Sequence, residues 1–122
     1  MDPVFSNDKM RIVQELVPGK QITLAHIIAN PDEVLYQKLG LDTSVDYKQS
    51  AIGILTISPS ETVIIAGDIA IKASGAEIGF VEHFSGTLII TGTVSSVEES
   101  LISICNYVKE KLGYTVCEIT KT

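Results

Sequence analysis

The stretch from Ser58 to Leu88 constrains the fold most. It reads S-P-S-E-T-V-I-I-A-G-D-I-A-I-K-A-S-G-A-E-I-G-F-V-E-H-F-S-G-T-L. Pro59–Ser74 has the pattern of a helix that is apolar over most of its surface, with Val63, Ile64, Ile65, Ile69 and Ile71. Such a helix is covered on more than one side. Its charges along this length are Glu61, Asp68 and Lys72, the last two separated by four residues. Two β-rich runs follow, Glu77–Glu82 and Thr87–Val94, joined by a short loop that contains Gly86. That spacing predicts a hairpin. A helix and a hairpin of this kind suit a chain that buries surface against copies of itself.

The other elements are marked by their ends. Asn30-Pro31-Asp32-Glu33 offers an Asn cap with proline at the first helical position. Ser58-Pro59-Ser60-Glu61 and Ser95-Ser96-Val97-Glu98 both read as capping boxes. Gly40, Gly75 and Gly113 provide stops. The expected helices are therefore Pro31–Leu39, Pro59–Ser74 and Ser96–Leu112. The last is amphipathic, with Val97, Leu101, Ile104, Cys105, Val108 and Leu112 on one side. Strands are expected at Gln21–Ile28, Ala51–Ile57, Glu77–Glu82, Thr87–Val94 and Tyr114–Thr120, where Ile, Val and Thr dominate. From Ala51 onward the order is βαββαβ. The fold class is α+β: a ferredoxin-like antiparallel sheet with its helices on one face. Residues 10–122 read as a single domain after a flexible tail, residues 1–9. Met10–Val17, closed by the turn signal Pro18-Gly19, is a candidate extra strand, and Leu41–Ser50 is a polar connection.

Composition excludes several classes of function. The 122 residues carry a net charge of −6, which argues against nucleic acid and anionic membrane surfaces. No apolar run reaches the roughly 20 residues of a membrane span. Hydrophobic residues make up 45% and charged residues only 20%, so some apolar surface is expected to face a partner. Cys105 and Cys117 do not make a disulfide framework and read as small buried hydrophobes.

No catalytic set converges. His26 lies in the apolar run T-L-A-H-I-I and reads as a hydrogen-bonded structural residue. His83 lies in the hairpin loop beside Phe84. No ligand spacing suggests a metal, and no Gly-rich phosphate loop or dinucleotide motif implies a cofactor. Neither cysteine is near a histidine in sequence, and no G-x-S-x-G motif is present. Asp68 and Lys72 form a potential i,i+4 pair. Their apolar surroundings place Lys72 at an edge, its stem over a neighbour and its ammonium near that neighbour's carbonyls.

Together these segments resemble the circularly permuted shell proteins of bacterial microcompartments, the BMC-domain type found in ethanolamine, propanediol and choline utilisation. The matching segments are V-P-G-K-Q-I-T-L-A-H-I-I-A-N-P (Val17–Pro31), K-L-G (Lys38–Gly40), A-I-G-I-L-T-I-S-P-S-E (Ala51–Glu61), I-I-A-G-D-I-A-I-K-A (Ile64–Ala73), E-I-G-F (Glu77–Phe80), F-S-G (Phe84–Gly86) and C-E-I-T-K-T (Cys117–Thr122). The resemblance implies a flat or bent homohexamer that tiles a polyhedral shell in the bacterial cytoplasm. Its partners would be other shell proteins and encapsulated enzymes, and those enzymes would carry the chemistry. Asp68 and Lys72 match the hexamer edge. Glu82, His83, Phe84, Ser85 and Gly86 match the loop around the six-fold axis that forms the pore. Ile12, Val13, Gln14, Glu15, Leu16 and Val17, within residues 10–20, match a strand that joins a small β-barrel capping the pore. Phe84 stands where unpermuted members have a small glycine, which favours a plugged or gated pore. The alternative is a ferredoxin-like regulatory module that binds a small metabolite at subunit interfaces.

Overall fold

The computed structural model describes residues 19–41 and 50–122. The expected tail 1–9, the candidate barrel strand and most of the Leu41–Ser50 connection lie outside the described residues. Among the described residues, five strands and three helices follow in chain order: β1 Gln21–Ile28, α1 Glu33–Lys38, β2 Ala51–Ser58, α2 Thr62–Ala73, β3 Glu77–Glu82, β4 Thr87–Gly92, α3 Val94–Leu112 and β5 Thr120–Lys121. They form one sheet of order β3-β4-β2-β1-β5.

The hairpin forms as expected, with Glu82 opposite Thr87 in the β3–β4 ladder. The sheet is mixed rather than antiparallel. The three ladders from β3 to β1 are antiparallel, but β5 runs parallel to β1. In a ferredoxin-like plan the last strand would lie against β2. Here β1, supplied from before the βαββαβ run, sits between them.

The last strand is shorter than Tyr114–Thr120. A single bridge joins Gln21 to Thr115, and the ladder resumes at His26–Thr120. Both contacts share one register, offset by 94 residues. The interrupted stretch, 116–119, lies opposite residues 22–25. There β1 carries a bulge between Ile22 and Leu24 that displaces its backbone.

The two helices of the βαββαβ run share one face, as expected, and α1, from before that run, covers the other. On the first face α2 and α3 pack Val63, Ala66, Ala70, Val97, Leu101, Ile104 and Val108 onto Ile22, Ala25, Ile27, Leu55, Ile57, Leu88 and Ile90. Alternation then sends Ile52, Ile54 and Ile89 to the second face, where Tyr36 of α1 and Leu41 cover them. The Tyr36 hydroxyl donates to the Ser50 carbonyl, closing the base of the polar connection. Gly53 explains how closely α3 approaches the sheet. A Cβ there would sit 2.6 Å from Val97 Cγ1 and 2.8 Å from Ile90 Cγ1.

All three helix starts differ from expectation. Asp32, not Asn30, caps α1, its Oδ1 accepting from the Val34 N–H at 3.0 Å. Its carboxylate also suits the positive end of the helix. The box at Ser58–Glu61 does not form. Instead the carbonyls of Pro59, Ser60 and Glu61 accept from the N–H groups three residues on, so backbone satisfies the first donors of α2. Thr93, not Ser95, caps α3, accepting from Ser96 N–H at 3.1 Å. Gly92, at φ 154°, turns the chain out of β4 just before it, so the earlier hydroxyl meets the donors first. Gly113 ends α3 at φ 73°, as expected of a left-handed C-terminal glycine. Gly75 does not cap α2. Ser74 ends it in extended conformation.

Candidate functional site

The surface that α2 presents to solvent is the main candidate. Thr62, Val63, Ala66, Gly67 and Ala70 are buried, recurring at helical spacing along one face. Gly67 allows close contact with the hairpin: a Cβ there would lie 3.3 Å from Ile78 Cδ1. The opposite face carries Ile64, Ile65, Asp68, Ile71 and Lys72, all exposed. Ile64 is 60% and Ile71 56% exposed, far above what isoleucine shows in a monomer core. Val81 on the edge strand β3 is also exposed, and its Cγ2 lies 3.7 Å from the Cβ position of Gly67. Nothing in the local pattern singles out Val81, because the bulge between Ile78 and Phe80 changes which side chains of β3 face out.

Lys72 Nζ lies 2.9 Å from Asp68 Oδ2 at the end of this stripe, both side chains largely exposed. The expected pair is therefore made. In water such a pair contributes only a few tenths of a kcal/mol to the helix. Its charges remain available at the rim of an apolar surface.

The loop expected at Glu82–Gly86 is ordered by its own backbone and side chains. Gly86 N–H donates to Glu82 O, and Glu82 Oε1 accepts from Phe84 N–H at 2.6 Å. Gly86 O accepts from Ile57 N–H at 2.9 Å, fixing the loop beside the end of β2. Gly86 has φ 74°, and a Cβ there would collide with the Ile57 carbonyl oxygen, so this position accepts glycine alone. Ser85 and Thr87 share a hydroxyl contact of 3.0 Å. The rings of His83 and Phe84 lie 4.3 Å apart, and Phe84 is 81% exposed. The turn thus holds an aromatic ring out in solvent. β1 begins at this same end of the sheet, since Gln21 pairs with Ser58. The start of β1 therefore lies near the loop, since Gly86 is bonded to Ile57 next to that pair.

His26 is hydrogen-bonded, as expected. Its Nδ1 lies 2.6 Å from Thr120 Oγ1 and its Nε2 2.9 Å from Thr122 Oγ1. The ring thus clamps β5 onto β1. Cys105 is buried, and burial followed by the proximity of Cys117 pushes its thiol up to about 11. Among the described residues no group of three or more His, Cys, Asp or Glu could hold a metal ion. Sequence reasoning missed a hydroxyl cluster between α2 and α3. Ser100, fully buried, donates to Ala70 O at 3.1 Å, and its Oγ lies 2.8 Å from Ser74 Oγ, which donates to Ser96 O. Serine at 100 falls on the apolar side of α3, and that interruption was the available signal.

The fold is that of a shell-building domain: the BMC domain model matches residues 51–120, and the chain belongs to that family. Among its relatives are two bacterial microcompartment shell proteins. EutS of Escherichia coli is 50% identical over 115 residues, covering 94% of this chain and 99% of the relative. PduU of Salmonella typhimurium is 53% identical over 112 residues, covering 92% and 93%. The CutR flat hexamer matches 99% of this chain and 100% of its own, at 41% identity and TM-score 0.79. A screw form of CutR matches 86% and 100%, at 46% identity and TM-score 0.77.

Proposed function

We propose that this chain is a structural subunit of a bacterial microcompartment shell, built by closing six copies into a ring whose edges tile. One observation carries the reading: the exposed isoleucine stripe of α2, bounded by the Asp68–Lys72 pair. A head-to-tail contact repeated around an axis closes, and identical outer edges then extend a layer. Permanent interfaces of this kind are large and apolar, which accounts for Ile64, Ile65, Ile71 and Val81. Lys72 and Asp68 act at the ring's outer edge. The loop from Glu82 to Gly86 surrounds the axis, with Phe84 and His83 narrowing the opening.

The domain is circularly permuted. In support, β1 fills an interior place in the sheet although it precedes residue 51, where the family model's match begins. Ile12–Val17 pair between copies into a barrel over the pore. The start of β1 beside the hairpin loop supports this, and closure would leave no free strand edge. The subunit works without cofactor or catalysis in the bacterial cytoplasm. It contacts other shell proteins and encapsulated enzymes of an ethanolamine, propanediol or choline pathway.

The test is the mass in solution, by light scattering after size exclusion. A value near six times the 13.1 kDa chain is expected. A stable monomer, dimer or trimer would overturn ring closure and favour a metabolite-binding module.

A further inference from the structure

The two cysteines flank the chain reversal at the end of α3, and both pack with the core of the first sheet face. Cys105 lies eight residues before Gly113, about 12 Å along a helix. Cys117 lies four residues after it, about 13 Å along an extended chain. The chain reverses between them: the N–H groups of Gly113 and Tyr114 both donate to Val108 O. The returning segment then runs beside β1, anchored at Thr115 and again at Thr120. Cys105 is the marginal member of the buried α3 stripe, 7% exposed where Val97, Leu101, Ile104 and Val108 are 0%. Cys117 is half-buried and packs against the same core cluster. It sits in the interrupted stretch, 116–119, where no ladder holds the backbone rigidly to β1.

We propose that Cys117 is a thiol-modification site whose reaction with a small disulfide, of the glutathione disulfide class, is resolved by Cys105 into an intramolecular cross-link. Cys117 as thiolate attacks one sulfur of the disulfide and displaces one glutathione thiolate. Cys105 then gives its proton to solvent and attacks Sγ of Cys117, displacing the second. The two cysteine thiols lose two electrons, and one glutathione disulfide becomes two glutathione thiols. The order of events follows from exposure: Cys117 is reachable, and the buried Cys105 thiol is the harder to ionise. A reducing compartment keeps both as thiols, so the cross-link answers an oxidising challenge. It fastens the C-terminal segment to α3, and it requires no neighbouring subunit.

The experiment treats the full reduced chain with oxidised glutathione and follows intact mass and non-reducing peptide maps. Loss of two hydrogens with a 105–117 linked peptide is expected. Cys105→Ala should stop at one glutathionyl group on Cys117, and Cys117→Ala should not react. The cross-linked form should melt higher by about 4–10 °C, as for a loop of this length in a domain of this size. Glutathione accumulating on wild-type Cys117 without the link, a link only between chains, no reaction, or an unchanged melting point would each overturn the proposal.

Discussion

Gly53 is where the first sheet face has least room. A methyl group there would meet Val97 Cγ1 at 2.6 Å and Ile90 Cγ1 at 2.8 Å, and both side chains are themselves fully buried. Neither can leave without lifting α3 from the sheet. Gly53→Ala should therefore cost about 1–3 kcal/mol, the usual range for overpacking. Urea unfolding at fixed protein concentration measures it, and an unchanged midpoint would show that the interface is looser than described. Cys105 gives a second residue-level expectation, this one in pH. Its folded pKa, raised from 9.0 to about 11, favours the thiol in the native state. The resulting stability is complete below about 9 and is lost as pH rises toward 11. The stability difference between wild type and Cys105→Ala should thus shift against wild type by roughly 2–3 kcal/mol between pH 8 and 11. A pH-independent difference would mean that the thiol is solvated when it ionises.

The α2 helix shows what a sequence discloses about an element and what it withholds. Its apolar content was legible, because Val63, Ile64, Ile65, Ile69 and Ile71 leave few polar positions. Which of these lie outside the subunit was not. That depends on Gly67 and Ala70 admitting the helix against β3 and β4 on one side only. Ile64→Glu should accordingly leave the subunit folded, since exposed substitutions usually change stability by under about 0.5 kcal/mol. It should abolish the ring by placing charge in an apolar contact. Circular dichroism and light scattering separate these effects; a ring that survives would remove α2 from the interface. The helix starts were misplaced for a local reason. Asn30 and Asp32, or Thr93 and Ser95, are all competent caps, and only the preceding geometry chooses between them. The strands of the hairpin were legible from β-branched content and Gly86. The parallel placement of β5 was not, because it requires β1 to intervene, a long-range pairing that no local pattern encodes. Of the candidate sites, the Asp68–Lys72 pair and the hairpin loop were legible in spacing and composition, whereas the assembly roles proposed for them come from the family resemblance. The Ser74–Ser100 cluster was not legible, since serine at a buried helix position is intelligible only beside its acceptor, Ala70 O.

At the scale of the whole molecule, ring closure and tiling draw on different forces and should separate experimentally. Ring closure relies on buried apolar area, which is indifferent to salt at ordinary concentrations. Tiling through the proposed edge at Lys72 would rely on a charged, largely exposed side chain already 2.9 Å from Asp68. To act on a neighbouring ring, its ammonium must exchange water and part of the Asp68 contact for carbonyls across the edge. The net energy per contact is therefore small, and an extended layer forms only because every ring repeats the contact around its rim. Lys72→Ala should leave the hexamer mass and melting point nearly unchanged, as expected for an exposed pair worth about 0–1 kcal/mol. It should eliminate sheets or tubes seen by electron microscopy at low salt. Asp68→Asn should be milder, because it frees the ammonium rather than removing it. Raising ionic strength should weaken wild-type layers if the contact depends on long-range charge attraction, and less so if the ammonium meets carbonyls at short range. Normal layers from the Lys72→Ala protein would remove the edge assignment. Loss of rings as well as layers would place Lys72 inside the ring interface, beside Ile71, instead of at its outer rim.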